Sequence, residues 1–354
     1  MYDIAVIGAG PAGATLARLI GKKYKVLLLE RRELLNPGDS SWEKTCGGLI
    51  APDAQQVLAQ LGLGVPGKVL VGPQLFTVRT IDIQNNIERY YQRNYINIVR
   101  ERFDCWLVSL LPSAVDLRCG ALFKRYFIKN NCFNIEYKLK GKEYAEKAKY
   151  LVGADGAFST IRRQIVPAFF QPKYIAVQEW FKTSKTQPYF SAIFDREITD
   201  FYSWTIPKED CILVGTAIPV QGSLNRKYNL FKERLIKRGF ELQRSIKKKG
   251  AFLQRPQNIK QIFLGNGNIT LIGEAAGWIS PTSAEGFSYA FHSAVALSQS
   301  IEQNPENLIQ EYIKKTRRLR LNIIQKNMKL PFMYKQFLRK VVMKSGLLSM
   351  DIKK

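Results

Sequence analysis

Residues 1–30 read MYDIAVIGAGPAGATLARLIGKKYKVLLLE, and the rest of the chain is organised around them. Residues 3–8 form an apolar run of strand length. Residues 11–21 place apolar side chains at helical spacing, and residues 25–30 are a second apolar run. Strand, helix and strand in this order make a βαβ unit. Between the first strand and the helix lies GAGPAG, residues 8–13. Gly8 permits the tight turn, Gly10 lets backbone approach a pyrophosphate, and Gly13 lets helix and strand pack closely. Pro11 and Ala12 open the helix, whose free amides and dipole hold the anion. Glu30 ends the second strand, with Arg31 after it. Its carboxylate can accept hydrogen bonds from both hydroxyls of an adenosine ribose. A glycine turn used only for packing would not explain that acid. The motif predicts a dinucleotide site without separating FAD from NAD.

Outward from this unit, the spacing predicts helices over 52–61 and 100–111 and strands over 75–91, 121–128, 133–139 and 149–153. Residues 174–218 are dense in aromatic and β-branched side chains and predict several strands of a mostly antiparallel sheet. A basic helix is expected near 226–238, a buried strand at 269–273 and a helix from 286 to 301. The last fifty residues read as helical throughout. The cofactor motifs lie at both ends and in the middle of the chain, so the sheet-rich segments read as insertions. The expected division is a discontinuous cofactor domain of residues 1–72, 95–168 and 266–304, a substrate domain of 73–94 and 169–265, and a basic tail of 305–354.

The chain has 354 residues and a formal net charge of +25. No helix-turn-helix, zinc-finger or RNP signature accompanies that charge, so nucleic acid is not an expected partner. Cys46, Cys105, Cys119, Cys132 and Cys211 are scattered with no CxxC pair, which argues against a disulfide framework and against zinc. No run of 18 apolar residues suggests a membrane span. With the first strand beginning almost at Met1, the expectation is a cytoplasmic protein without a signal peptide. His292, the single histidine, is expected to be structural.

Two further motifs favour a flavin. Residues 151–163 read LVGADGAFSTIRR and residues 271–287 read LIGEAAGWISPTSAEGF. The second is a strand, a small-residue turn with an acid, and a Pro-to-Gly loop opening a helix. An acid there can bind a ribityl chain. The helix N-terminus can face the flavin pyrimidine edge, where negative charge develops on reduction.

In this order, GAGPAG, GADGAFSTIRR and GEAAGWISPTSAEGF resemble the superfamily of FAD-dependent hydroxylases and geranylgeranyl reductases, over nearly the whole chain. The resemblance implies an α/β fold: a Rossmann-like FAD-binding domain with an inserted antiparallel substrate sheet, as in p-hydroxybenzoate hydroxylase, and a helical tail. It implies bound FAD reduced by NAD(P)H or another donor. Asp155 and Gly156 would lie near the FAD, Arg100 would meet its phosphate or ribityl region, and Glu274, Ala284 and Gly286 would complete the site. Glu274 stands where the family usually has Asp and reaches one methylene farther.

KTCGGL at 44–49 and YSWTIPK at 202–208 resemble the geranylgeranyl reductase branch, although Ile206 replaces the family Phe. Gly47 and Gly48 let backbone approach a flat ring. Cys46 beside it is the candidate catalytic residue, as proton donor or redox partner. Tyr202 and Trp204 share one face and can line an apolar pocket, and Lys208 can meet an anionic head group. The implied activity is reduction of a carbon–carbon double bond in a polyprenyl lipid. YSWTIP is also one residue from the Trp-x-Trp-x-Ile-Pro pattern of flavin halogenases, so an oxygen-using monooxygenase or halogenase is the second reading. A flavin-binding redox sensor without catalysis is the third. Residues 305–354 carry thirteen Lys or Arg against three Asp or Glu. Their apolar side chains recur at helical spacing, which suits either peripheral contact with anionic membrane or helices packed on the cofactor domain.

Overall fold

A computed structural model describes residues 1–35, 44–167, 174–185 and 187–351. The opening βαβ unit forms as expected: strand Tyr2–Ile7, helix Pro11–Ile20 and strand Val26–Leu29, whose VLLL side chains are all buried. These two strands belong to an eight-stranded sheet. Its parallel part runs Ile269–Leu271, Lys142–Gly153, Tyr2–Ile7, Val26–Leu29, Asp116–Arg118. Strand Lys142–Gly153 joins two regions. Its first half pairs antiparallel with Cys132–Leu139, and its apolar end, from Ala148 onward, enters the parallel core. Helix Phe287–Gln303 packs beside Pro11–Ile20.

The second sheet has nine strands and is antiparallel except where Phe190–Phe194 runs parallel to Leu75–Asp82. Strand Cys211–Pro219 shows how its two faces are divided. Ile212, Val214 and Ile218 pack with Tyr228, Phe231 and Leu235 of helix Leu224–Lys237. Leu213 and Ala217 point the other way, into a cluster with Trp204, Ile206 and Phe201. Between them Gly215 stands opposite Trp204, and a Cβ there would lie 2.3 Å from the indole. The absent side chain makes room for the ring.

Strand Ser245–Leu253 was not expected. It pairs with Tyr174–Lys182 at the sheet edge, where its Lys-rich run stays in solvent and hides the strand signal. The tail also departs from a helical reading throughout. Helices Leu308–Lys315, Arg317–Tyr334 and Gln336–Ser345 are followed by a short strand, Ser349–Met350, which pairs with Tyr90 and Tyr91 of strand Ile87–Asn97. The tail therefore docks on the substrate sheet as well. Arg339, 4% exposed, donates to Asp82, 0% exposed, at 2.6 Å. Among the described residues no helix is long and apolar enough to cross a membrane, and no group of His, Cys, Asp and Glu could hold a metal.

Candidate cofactor and active site

The three glycines of the opening turn have different surroundings. Gly8 has φ +103°, and a Cβ there would lie 2.5 Å from the Ala154 carbonyl oxygen. At Gly13 a Cβ would lie 1.9 Å from the Gly8 carbonyl oxygen. Both are needed by the protein itself. Gly10 has nothing within 4 Å of a Cβ and ordinary extended backbone, so the space beside it is left for something other than protein. Pro11 and Ala12 are buried in the first turn of the helix.

Glu30 is buried and accepts from the Ala9 amide at 2.8 Å, which places a carboxylate against the turn. Burial disfavours its charge, but the Arg32 guanidinium beside it prevails and holds Glu30 below the usual carboxylate range. Arg32 donates to Glu30 at 2.9 Å and to Asp104 at 2.6 Å, and Arg100 donates to Asp104 at 2.7 Å. Asp104 is likewise held low: burial works against its charge, and Arg100 and Arg32 outweigh it. Arg31 is exposed, so the neighbouring arginine faces this network. Arg100 also sits 5.0 Å over the Phe287 ring at the start of the late helix.

The middle and late motifs meet this turn. A Cβ at Gly273 would touch Ala12 at 2.9 Å. Asp155 Oδ2 accepts from the Thr160 amide at 2.7 Å and caps the short helix Thr160–Ile165, while Oδ1 is buried without a partner. Burial pushes the Asp155 carboxyl up, and it does the same to Glu274. Lys44 bridges the motifs, 3.9 Å from Glu274 and 3.4 Å from where a Gly156 Cβ would stand. The buried Arg162 donates to the carbonyls of Gln261 and Ala275 and braces the acidic turn from behind.

The loop Ser280–Gly286 is fixed through its carbonyls. Arg255 donates to Pro281 at 2.9 Å, Tyr334 to Thr282 at 2.6 Å and Tyr202 to Ser283 at 2.7 Å. Ala284 has φ +53°, and its amide returns to Ser280. Gly286 then opens the 17-residue helix Phe287–Gln303 with no side-chain cap, no acid in its first turn and nothing within 4 Å of a Cβ. Free helix amides facing open space suit an electron-rich ring edge.

The Cys46–Gly48 loop is bound to the substrate sheet. Gly48 has φ +62°; a Cβ there would meet the Ile98 carbonyl oxygen at 2.4 Å, and one at Gly47 would meet Ile206 at 2.7 Å. Lys208 donates to Asn97 Oδ1 at 2.5 Å, to the Ile98 carbonyl at 2.9 Å and to the Gly48 carbonyl at 3.3 Å. Protein acceptors thus engage the ammonium, and burial pushes its pKa down to about 7. Cys46 Sγ accepts from the Gly48 amide at 3.4 Å. Tyr202 and Trp204 lie side by side, centroids 5.6 Å apart, in the apolar cluster against which Leu49 and Ala284 pack. His292 lies exposed on the late helix. Arg32, Asp104, Lys44 and Arg162 were missed by sequence reading: Lys44 and Arg162 have partners distant in the chain, and Arg32 and Asp104 meet across 72 residues.

The residues fit FAD: an open pyrophosphate cradle at Gly10, a carboxylate at Glu30, an unpartnered Asp155 oxygen and an uncapped helix N-terminus. Protein CbrA of Escherichia coli K12 is 38% identical over 345 residues, covering 98% of this chain and 97% of the relative. The chain belongs to the CbrA family. No family model matches the chain. Its fold is shared with a geranylgeranyl bacteriochlorophyll reductase-like protein of Thermoplasma acidophilum, at TM-score 0.81 and 17% identity over 97% of this chain and 90% of that one. It is shared too with the flavin-dependent brominase Bmp2, at TM-score 0.73 and 19% identity over 98% of this chain and 94% of that one.

Proposed function

We propose that this CbrA-family protein binds FAD and reduces a carbon–carbon double bond of a polyprenyl lipid. One observation carries the reading. The apolar face formed by Trp204, Ile206 and Leu213 receives Leu49 from the Cys-Gly-Gly loop and Ala284 from the Pro-to-Gly loop, so a long apolar substrate bound there lies beside the cofactor residues. Bound FAD, reduced by NAD(P)H or another donor, supplies a hydride to one alkene carbon. Gly47 and Gly48, packed on Ile206 and the Ile98 carbonyl, would let this loop border the bound flavin. Cys46 holds the proton that the neighbouring carbon must receive. Trp204, lying on Gly215, would border an apolar substrate held beside the cofactor residues.

Exposed apolar side chains of the tail support a membrane-side role. Phe337 is 73% exposed, Met328 70% and Leu348 83%, on a segment rich in Lys and Arg. Peripheral contact with anionic lipid is part of this proposal, and binding to acidic liposomes should weaken as salt rises. The alternative reading, oxygen-dependent hydroxylation or halogenation, draws on the fold shared with Bmp2. The test is single turnover of the dithionite-reduced holoprotein with candidate polyprenyl substrates, with and without oxygen, read by mass spectrometry. A gain of two hydrogens without oxygen is expected. A product carrying oxygen or halogen, formed only aerobically, overturns the reductase reading.

A further inference from the structure

A cavity of about 710 Å³ lies between the substrate sheet and the tail, bordered by Phe194, Phe201 and Tyr334. Arg196, Arg255, Lys335, Arg339 and Lys340 line it, against only Asp195 and Asp200. The two acids are already engaged. Asp195 accepts from Gln84 at 2.7 Å, from the Glu197 amide at 3.1 Å and from the Arg234 guanidinium. Asp200 accepts from the Tyr174 hydroxyl at 3.0 Å. Among the described residues Arg196, Lys335 and Lys340 have no carboxylate partner.

Two arginines are pre-positioned. Arg255 lies against the rings of Phe201, at 4.4 Å, and Tyr334, at 4.2 Å, which stack on each other, while donating to Pro281 and to the Tyr174 hydroxyl. Arg339 is 4% exposed, and its Nη2 is buried with no partner, although Nε is paired with Asp82 and Nη1 with the Met333 carbonyl. A buried guanidinium N–H without an acceptor costs free energy unless a ligand supplies one. Cations from two separate elements around one concavity match a multivalent oxyanion better than a single carboxylate, because phosphate offers several acceptor oxygens and up to two charges.

We propose that this cavity is a binding site for a phosphate group, carried by a soluble phosphate or by a lipid headgroup. The site is separate from the pyrophosphate cradle at Gly10 and does not depend on the reductase reading. Tyr334 and Arg255 form its wall and also hold Thr282 and Pro281, so occupancy is connected to the loop that opens the helix Phe287–Gln303.

The experiment is calorimetric titration of the full-length holoprotein, in about 0.15 M salt to screen loose surface attraction. Inorganic phosphate and dihexanoyl phosphatidic acid below its micellar concentration are the probes, with dihexanoyl phosphatidylcholine as control. One phosphate or phosphatidic acid per chain is expected, and no phosphatidylcholine. The exposed pair Arg196→Gln/Lys340→Gln should weaken binding roughly tenfold or more while flavin content and melting are unchanged. Tighter binding of phosphatidic acid than of inorganic phosphate assigns the site to a headgroup; equal affinities assign it to soluble phosphate. Two results overturn the proposal. One is no saturable binding of either soluble probe, even if acidic vesicles bind. The other is equal weakening by Lys124→Gln/Lys129→Gln on the remote hairpin.

Discussion

After strand Val26–Leu29, Glu30, Arg32, Asp104 and Arg100 alternate in sign, and each charge touches an opposite one. Where the tail meets the substrate sheet, cations gather around one cavity and few carboxylates answer them. Both regions are arginine-rich and both use buried guanidinium groups. The first is balanced before any ligand arrives, because two acids and two bases pair with one another along the wall of the cofactor site. The second keeps a buried donor without an acceptor. Local charge balance marks scaffold; local imbalance around a concavity marks a place for something else to bind.

The largest effect should come from unbalancing the first region. Asp104→Ala leaves Arg32 and Arg100 buried without their shared carboxylate, at a cost of about 3–5 kcal/mol in denaturant unfolding. Glu30 and Asp104 both have depressed folded pKa values, so the stability they contribute is present above the unfolded carboxylate range near about 4 and is lost as pH falls through their folded values. The gap between wild type and variant should therefore close on acidification. A gap that persists at low pH would mean that Asp104 matters through packing.

Next comes Lys208, which ties its strand to the Cys46–Gly48 loop and to Asn97. Lys208→Met deprives three buried acceptors of their donor, at a cost of about 1–3 kcal/mol. The pH dependence has the same sense but falls in an alkaline window. With a folded pKa of about 7 and an unfolded value near about 10.4, the unfolded state binds more protons between them, so wild type gains stability as pH rises through that window. The variant should lack this rise, by at most about 1.4 kcal/mol per pH unit. Parallel unfolding curves from pH 7 to pH 9, measured by circular dichroism, would contradict it.

Gly10→Val should separate fold from cofactor. The backbone there suits any residue and the space is open, so melting of the apoprotein should hardly move. Flavin affinity, read from the yellow fraction retained on gel filtration, should fall roughly tenfold to a hundredfold as the side chain occupies the cradle. The smallest change in stability is expected of Cys46→Ala, below about 1 kcal/mol, since its one hydrogen bond is long. Its turnover on the true substrate should drop while flavin stays bound; unchanged turnover would leave Cys46 as packing.

The cofactor turn was legible because its chemistry is local. Gly8, Gly10, Gly13 and Glu30 lie within 23 residues, and strand and helix periods place them without help from elsewhere. One position beyond that reach, the sequence reading settled on Arg31, whereas the chain turns Arg32 toward Glu30, a choice set by Asp104 72 residues away. Lys208 read as a free cation at a strand end, because nothing in its neighbourhood announces Gly48 and Asn97 as acceptors. The same holds for Arg339, whose partner Asp82 is 257 residues distant. Family resemblance supplied residue types at these positions, but it could not supply their contacts.

Strand Ile87–Asn97 acquires its last neighbour from Ser349–Met350, and Arg89 donates to the Met343 carbonyl 254 residues later. On the ribosome, at about 5–20 residues per second, that strand waits on the order of ten seconds to a minute before its partner is made. Throughout that interval unpaired amides and carbonyls of Tyr90 and Tyr91 face solvent or a chaperone, the state in which sheet edges recruit foreign strands. The final residues thus act as a closing stitch, and a nascent chain stalled just short of them would present an aggregation-prone edge with its cofactor domain already synthesised.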